Sequence, residues 1–194
     1  MIKRATDVVG ALVGAVLLSP VLAAIALVIR TRDGSPVLFR QVRVGRDGRP
    51  FRILKFRTMT NGAGPGVTVA GDARVTDVGR ILRRFKLDEL PQLFNVLSGT
   101  MSLVGPRPEL PEYVAQWPAA TRDVVLSVRP GITDPAAVEF YDEEAILATY
   151  PDPIEAYRTV LMPQKLELYS SYIQTRTFTT DLRVIVATLR RAAS

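Results

Sequence analysis

AVLLSPVLAAIALVIR, at Ala15–Arg30, has the composition of a membrane helix with a helix breaker at its centre. It belongs to a longer run: no charged residue occurs from Val8 to Ile29, a stretch of 22 residues. As a single helix that run would be about 33 Å long, enough to span a bilayer. Pro20 opposes a straight helix, because it cannot donate to the carbonyl of Val16 and crowds it. Ser19 can turn its hydroxyl onto a preceding carbonyl and relieve part of that cost. Lys3 and Arg4 precede the run and Arg30 and Arg32 follow it, so the positive-inside tendency holds both ends on the cytoplasmic side. From these residues two topologies stay open: a spanning helix, or one that enters a leaflet, bends at Ser19-Pro20 and leaves on the same side. A cleaved signal peptide fits poorly, since the run is long for such a segment and RTRDGSP is not a small-residue cleavage site.

The chain has 194 residues, of which 47% are hydrophobic, enough for an anchor and one domain with a modest core. It contains no Cys and no His. The first absence excludes a disulfide framework, a thiolate nucleophile and Cys-based metal sites. The second removes the commonest general base and transition-metal ligand. Catalysis would fall to carboxylates, Lys, Arg, Tyr, Ser or Thr, and a metal would be a hard cation such as Mg2+ on oxygen ligands. The net charge of +6 is uneven: residues 1–110 hold 17 basic and 8 acidic side chains, residues 111–194 hold 8 and 11. Arg makes up 21 of the 25 basic residues. Codon bias can explain Arg over Lys. It does not explain the clustering, which suits phosphate ligands, an anionic membrane face or nucleic acid.

Beyond the anchor, apolar and polar residues alternate on both sides of GRDG at Gly45–Gly48, which predicts a β-hairpin. NGAGPGVTVAGDARVT, at 61–76, reads as a mobile surface loop. A helix is expected over Asp77–Phe85, where Val78, Ile81, Leu82 and Phe85 fall at helical spacing, then a second from LDELPQLFNVLSG, with Pro91 in its first turn and Gly99 at its stop. GPRPELPEY and VRPGITDP read as proline-rich loops. Helical patterns fill EYVAQWPAATRDVVLSV and DEEAILATY, and DPIEAYRTVLMPQKLELYSSYIQ reads as two short helices split at Pro163. The closing segment TTDLRVIVATLRRAAS puts Leu182, Ile185, Val186 and Leu189 on one face, with Arg183, Arg190 and Arg191 beside it, as in a core helix or one lying on anionic lipid. The fold class is α+β: a membrane anchor over 1–32, then one domain over 33–194 with a small β-hairpin and several helices, interfacial amphipathic ones among them.

The acidic pair Asp88-Glu89 stands at a helix start behind the basic run RILRRFK. The helix dipole and Arg83, Arg84 and Lys86 would hold a carboxylate there ionised. The plain reading of DELP is an N-cap followed by Pro. The chemical reading divides two tasks, one residue as nucleophile and the other as Mg2+ ligand. Lys55 and Arg57 share a face if ILKFRTM is a strand, while Arg107 and Arg129 lie in stiff proline loops. Each alone reads as a solvated surface charge. Together, beside a carboxylate pair and behind an anchor, they suit a phosphate-bearing substrate at the bilayer surface.

KLDELPQLFNVLSGTMSLVGPRPELPEY, with FRQVRVGRDGRPFRILKFRTM before it and VRPGIT after it, resembles the bacterial sugar transferase family, the monotopic phosphoglycosyl transferases that act on polyprenol phosphate. The likeness runs from KRATD at Lys3–Asp7 to TTDLRVIVATL, nearly the whole chain, in what looks like the minimal form without additional N-terminal membrane helices. The resemblance implies transfer of a sugar 1-phosphate from a UDP-sugar to undecaprenyl phosphate with release of UMP. It implies Asp88 as the nucleophile that forms a covalent phosphosugar intermediate, and Glu89 as the ligand of Mg2+. It implies that Lys55 and Arg83 occupy the family's basic positions, that Arg107 lies in its phosphate-binding loop and that Asp181 holds the acidic position before its last helix; with Arg57 and Arg129 these are the expected substrate- and phosphate-binding residues. Ser19-Pro20 matches the break of its re-entrant helix. The implied setting is the cytoplasmic face of the bacterial inner membrane, with UDP-sugar, undecaprenyl phosphate and anionic lipid as partners; downstream glycosyltransferases and a homodimer are compatible with it, and nucleic acid is not expected.

One segment departs from the family pattern. Many members read PGITGWAQV and then a Gly-Arg-Asn segment, whereas this chain reads PGITDPAAVEFYDEE, so a candidate nucleotide or sugar ligand is missing. Glu139, Tyr141 and Glu143 either read sugar hydroxyls in its place or are surface residues. Two alternatives accompany the enzyme reading: a catalytically inactive membrane scaffold of the same fold, and a basic nucleic-acid binder, suggested by a pI of about 10.0 but unsupported by any nucleic-acid motif.

Overall fold

The structure is a computed structural model and describes residues 2–60, 68 and 71–193. It opens with α1 (Ile2–Leu17) and α2 (Ser19–Arg32), bent by 61° at the break between them. The bend has the expected chemistry. The Ser19 hydroxyl donates to the Val16 carbonyl at 2.8 Å, supplying the bond that Pro20 cannot make. Among the described residues no single helix is long and apolar enough to cross a membrane; the bent pair together has the length and composition. Val9, Leu12, Val13, Val16 and Leu17 face outward.

The inner side of this pair is part of the core. Ala11 packs with Ile53, Leu93, Val96 and Met101, and Ile29 with Phe56 and Leu82. Buried Asp7 accepts from Lys3 at 2.8 Å, from the Ser102 hydroxyl at 2.9 Å and from the Leu103 amide at 3.1 Å. Burial of a carboxylate is tolerated because all its neighbours are donors.

Strands β1 (Leu38–Val44) and β2 (Pro50–Phe56) form the expected antiparallel hairpin, with Leu38 opposite Phe56 and Val44 opposite Pro50. Most of the segment read as a mobile loop, residues 61–67, 69 and 70, lies outside the described residues. Helix α3 (Asp77–Arg84) is capped by the Thr76 hydroxyl on the Gly79 amide at 2.9 Å. Its predicted apolar face divides: Leu82 is buried, whereas Ile81 and Phe85 are exposed. A 3-10 turn over Leu87–Glu89 leads into α4 (Gln92–Leu97), and Gly99 follows it in the left-handed conformation at φ +87°.

Two proline-rich segments expected as loops each carry a short strand. β3 (Ser102–Val104), which runs into GPRP, pairs in parallel with β4 (Gly131–Thr133), which is the GIT of VRPGITDP. The signal was faint because three residues are too few for alternation to register. Between them stand α5 (Pro111–Val114) and α6 (Ala119–Leu126). After β4 come α7 (Pro135–Glu139), α8 (Glu143–Ala148), α9 (Pro153–Ala156), a π turn over Tyr157–Leu161, α10 (Met162–Thr175) and α11 (Phe178–Ala193). The expected split at Pro163 does not occur. The π turn widens the helix just ahead of it, so Pro163 enters as the second residue of α10, where its missing N–H costs little. The largest core cluster joins α5 to α10 through Trp117, Leu147, Leu161 and Tyr169.

Candidate active site

Lys86, a non-glycine residue in the left-handed region at φ +54°, ends the basic run and turns the chain so that Asp88 and Glu89 fall in the 3-10 turn. Both carboxylates are buried. Asn95 fixes this turn against the sheet: its Oδ1 accepts from the Leu54 amide and its Nδ2 donates to the Arg52 carbonyl, both at 2.9 Å. A side chain thus serves as the next strand for β2, and the neighbouring Lys55 is delivered to Glu89.

Glu89 is bound tightly. Its Oε1 accepts from Lys55 Nζ at 2.7 Å and from Arg107 Nη2 at 2.8 Å, and its Oε2 has only a 3.5 Å contact to Arg107 Nη1. Burial acts to raise its pKa, but Arg107 and Lys55 overcome that and hold the carboxyl well below the usual range. Asp88 is the opposite case. Among the described residues nothing forms a hydrogen bond or ion pair with its carboxyl. Burial pushes it above its ordinary value; Lys55 opposes this, while the Glu89 charge adds to it. Two adjacent carboxylates therefore have separate states: one clamped and anionic, one unpaired.

Arg107 reaches the pair because its loop is held by close backbone contacts. Gly105 donates to Thr133 at 3.1 Å and Gly131 to the Pro106 carbonyl at 3.0 Å. A Cβ on Gly131 would stand 2.1 Å from the Gly105 nitrogen, so this crossing admits no side chain. Arg83 crosses from α3 to pair with Glu144 of α8 and makes a 3.4 Å contact to the Thr58 hydroxyl. Asp88, Glu89, Lys55, Arg83 and Arg107 all line one open cleft of about 1910 Å³. The same cleft is lined by Leu18 and Val21 at the helix break and by Ile185 and Leu189 of α11.

Three expected substrate- or phosphate-binding residues make other contacts in the structure. Arg57 borders the cleft, but it lies one residue past β2 and donates to the carbonyls of Ser35 at 2.7 Å and Asp33 at 2.5 Å, tying the end of α2 to the hairpin. It lines the same cleft as Lys55, but two of its nitrogens are committed to backbone carbonyls. Arg129 lies outside the cleft and donates to the Gly99 carbonyl at 2.8 Å, behind α4. Asp181 also lies outside it. Tyr172 donates to it at 2.6 Å and Lys3 bridges it to Asp7, joining α11 to α1. Of the divergent segment, Tyr141 and Glu143 line the cleft and Glu139 is exposed outside it.

A buried network beside the pair was not foreseen. Glu109 accepts from Tyr157 at 2.6 Å and lies 3.6 Å from Lys165, which also donates to Glu143 at 3.0 Å. Arg43 closes on Glu109 at 3.5 Å. The signal available was charge within apolar helices, such as Lys165 in the middle of LMPQKLELY, which can be buried only with partners.

The residues present fit Mg2+. That ion takes one or two carboxylates and completes its shell with water and substrate phosphate. Glu89 Oε2 keeps accepting capacity and Asp88 is unpaired. Among the described residues no group of three candidate ligands is assembled, so substrate oxygens would have to supply the rest.

A clamped and an unpaired carboxylate thus stand among Lys and Arg side chains in a cleft that also reaches an apolar helix break. A family model for bacterial sugar transferases matches residues 1–194, and the chain belongs to that family. It is 42% identical over 201 residues to a UDP-glucose:undecaprenyl-phosphate glucose-1-phosphate transferase of Caulobacter vibrioides, covering 96% of this chain and 68% of that one. A protein of the same name in Escherichia coli is 37% identical over 194 residues, covering 97% of this chain and 39% of its own. A UDP-N-acetylgalactosamine-undecaprenyl-phosphate N-acetylgalactosaminephosphotransferase of Aeromonas hydrophila is 44% identical over 142 residues, or 71% of this chain and 34% of that one. The chain thus spans well under half the length of two of these three relatives.

Proposed function

We propose that this protein transfers a sugar 1-phosphate from a UDP-sugar to undecaprenyl phosphate on the cytoplasmic face of the bacterial inner membrane, the first membrane step of glycoconjugate assembly. The observation that carries the reading is the unpaired Asp88 carboxyl beside a Glu89 fixed by Lys55 and Arg107. The names of the relatives support the substrates.

An Asp88 oxygen attacks the sugar-bearing phosphorus of the donor. The bond from that phosphorus to the bridging oxygen breaks, and UMP leaves with the electron pair. An aspartyl-phosphosugar remains. An anionic oxygen of undecaprenyl phosphate attacks the same phosphorus, Asp88 departs as carboxylate, and undecaprenyl-diphosphate-sugar is released. Neither nucleophile carries a proton that must be removed, so the absence of His is no obstacle. Lys55, Arg107 and Arg83 supply fixed positive charge where phosphate oxygens gather. Mg2+, held through Glu89, would neutralise diphosphate charge. The bent α1–α2 pair serves as a re-entrant anchor that brings lipid phosphate to the level of Asp88.

The test is UMP release from purified protein given undecaprenyl phosphate, Mg2+ and a panel of UDP-sugars. Asp88→Asn should lower turnover by at least about a thousandfold with the fold intact. Intact-mass measurement without the acceptor should show a phosphosugar adduct in the parent and none in the variant. Unchanged turnover in Asp88→Asn would sink the nucleophile assignment.

A further inference from the structure

Among the described residues three side chains lining the cleft of Asp88 and Glu89 carry a buried polar atom with no partner: Arg57 at Nε, Asp134 at Oδ2 and Tyr169 at its hydroxyl. Arg57 is already held by two carbonyls through its other nitrogens, whereas Asp134 acts electrostatically on Tyr169, so those two stand together. Both are almost wholly buried, Asp134 at 1% exposure and Tyr169 at 0%. The other Asp134 oxygen is in use, capping α7 through the Ala137 amide at 2.9 Å, which fixes the side chain. Lys165, the neighbouring cation, is bound to Glu143 at 3.0 Å, with Tyr157 at 3.4 Å and Glu109 at 3.6 Å. Orphaned buried polar atoms cost free energy, so a pair of them in one wall calls for an outside group.

The chemistry narrows what that group is. Asp134 Oδ2 as carboxylate only accepts; the Tyr169 hydroxyl donates or accepts. A hydroxyl satisfies both at once, giving its hydrogen to Asp134 and taking one from Tyr169. Phosphate is repelled by the carboxylate and belongs to the Arg and Lys side of the cleft. Arg107, which holds Glu89, also acts on Asp134 electrostatically, so the two sites are neighbours. Burial raises the Asp134 carboxyl to about 6, which leaves it mostly ionised at neutral pH.

We propose that Asp134 and Tyr169 form the sugar-reading subsite, gripping a ring hydroxyl of the donor's hexose, and that the divergent segment beginning at Asp134 is the specificity element of this chain. The proposal rests on the UDP-sugar reading above. Two other sources offer a hydroxyl, the donor's ribose and a lone buried water, and the test separates them.

The parent, Tyr169→Phe and Asp134→Asn are titrated calorimetrically in detergent with UDP, UDP-glucose, UDP-galactose, UDP-N-acetylglucosamine and UDP-N-acetylgalactosamine. At least one UDP-sugar should bind the parent more tightly than UDP. Each variant should narrow that UDP-sugar to UDP ratio by about tenfold and leave UDP itself within about twofold. The melting temperature of Tyr169→Phe should not fall, since it deletes a hydroxyl that the protein does not satisfy. Equal losses for UDP and UDP-sugar would place the pair on ribose or in a structural role and overturn the proposal; an unchanged ratio would leave only a water there and overturn it too. Narrowing without UMP release from the parent would sink the transfer reaction and keep the subsite. Normal UMP release with an unmoved ratio would do the reverse.

Discussion

Asp88 shows what a buried, unpaired carboxylate costs at the scale of one residue. Its folded pKa is raised, so its contribution to stability is fully present below the unfolded value and is lost as pH rises through the folded one. At neutral pH the charged form destabilises the fold. Glu89 has the opposite sign: its folded pKa is depressed, and its contribution is present at neutral pH and lost in acid. We therefore expect Asp88→Asn, inert as it is, to melt at or above the parent's temperature at pH 7, with the gap closing toward pH about 4. In the proposed reaction the attacking form is the carboxylate, so kcat/KM should fall on acidification with an apparent pKa above the ordinary Asp value of 3.8. Differential scanning fluorimetry across pH and a pH–rate profile read the two effects. A variant melting well below the parent at pH 7, or an acid limb at or under 3.8, would contradict this account.

At the scale of elements, the legible parts were those with local signals. The hairpin was readable from alternation around GRDG, α3 from the helical spacing of its apolar residues, α4 from proline and glycine placement, and the break from Ser19-Pro20. What stayed hidden depends on contacts distant in sequence. The β3–β4 pairing joins segments that begin 29 residues apart, Ser102 and Gly131, and rests on Gly105 and Gly131 meeting without side chains. Arg129 and Asp181 look like ligands in a linear reading because residue type carries no direction; the fold turns one onto Gly99 and the other onto Tyr172 and Lys3. The carboxylate pair and its two basic clamps were visible, but the clamp geometry needed Asn95. The helix break makes its own prediction. Pro20→Ala restores a donor for the Val16 carbonyl and removes the crowding, so α1 and α2 should straighten toward a span. With cysteines introduced singly at positions 3 and 30, impermeant labelling of intact cells should leave both ends unlabelled in the parent, and should label position 3 in Pro20→Ala. Labelling of position 3 in the parent would end the re-entrant reading.

Across the whole molecule, one cleft reaches both the charged pair and the apolar break, and α11 closes its far side. Asp181, Val184 and Tyr172 fasten this helix inward, while Phe178, Leu182 and Leu189 are left exposed beside Arg183 and Arg190. An outward apolar stripe flanked by Arg is what an interfacial helix needs, and it would add a second hold on the leaflet beside the α1–α2 pair. That makes Leu182 a clean probe, because it is exposed, lies outside the cleft and makes no contact with the site. Leu182→Glu removes the insertion of a half-exposed leucine, roughly 1–1.5 kcal/mol, and adds a charge that anionic lipid repels. Partitioning onto phosphatidylglycerol vesicles should drop by about tenfold or more, while the melting temperature in detergent stays with the parent. The parent's binding should weaken as salt is raised, since Arg183 and Arg190 act through screened charge. Full vesicle binding by Leu182→Glu would mean that the α1–α2 pair alone holds the protein at the membrane, and that the stripe on α11 faces something other than lipid.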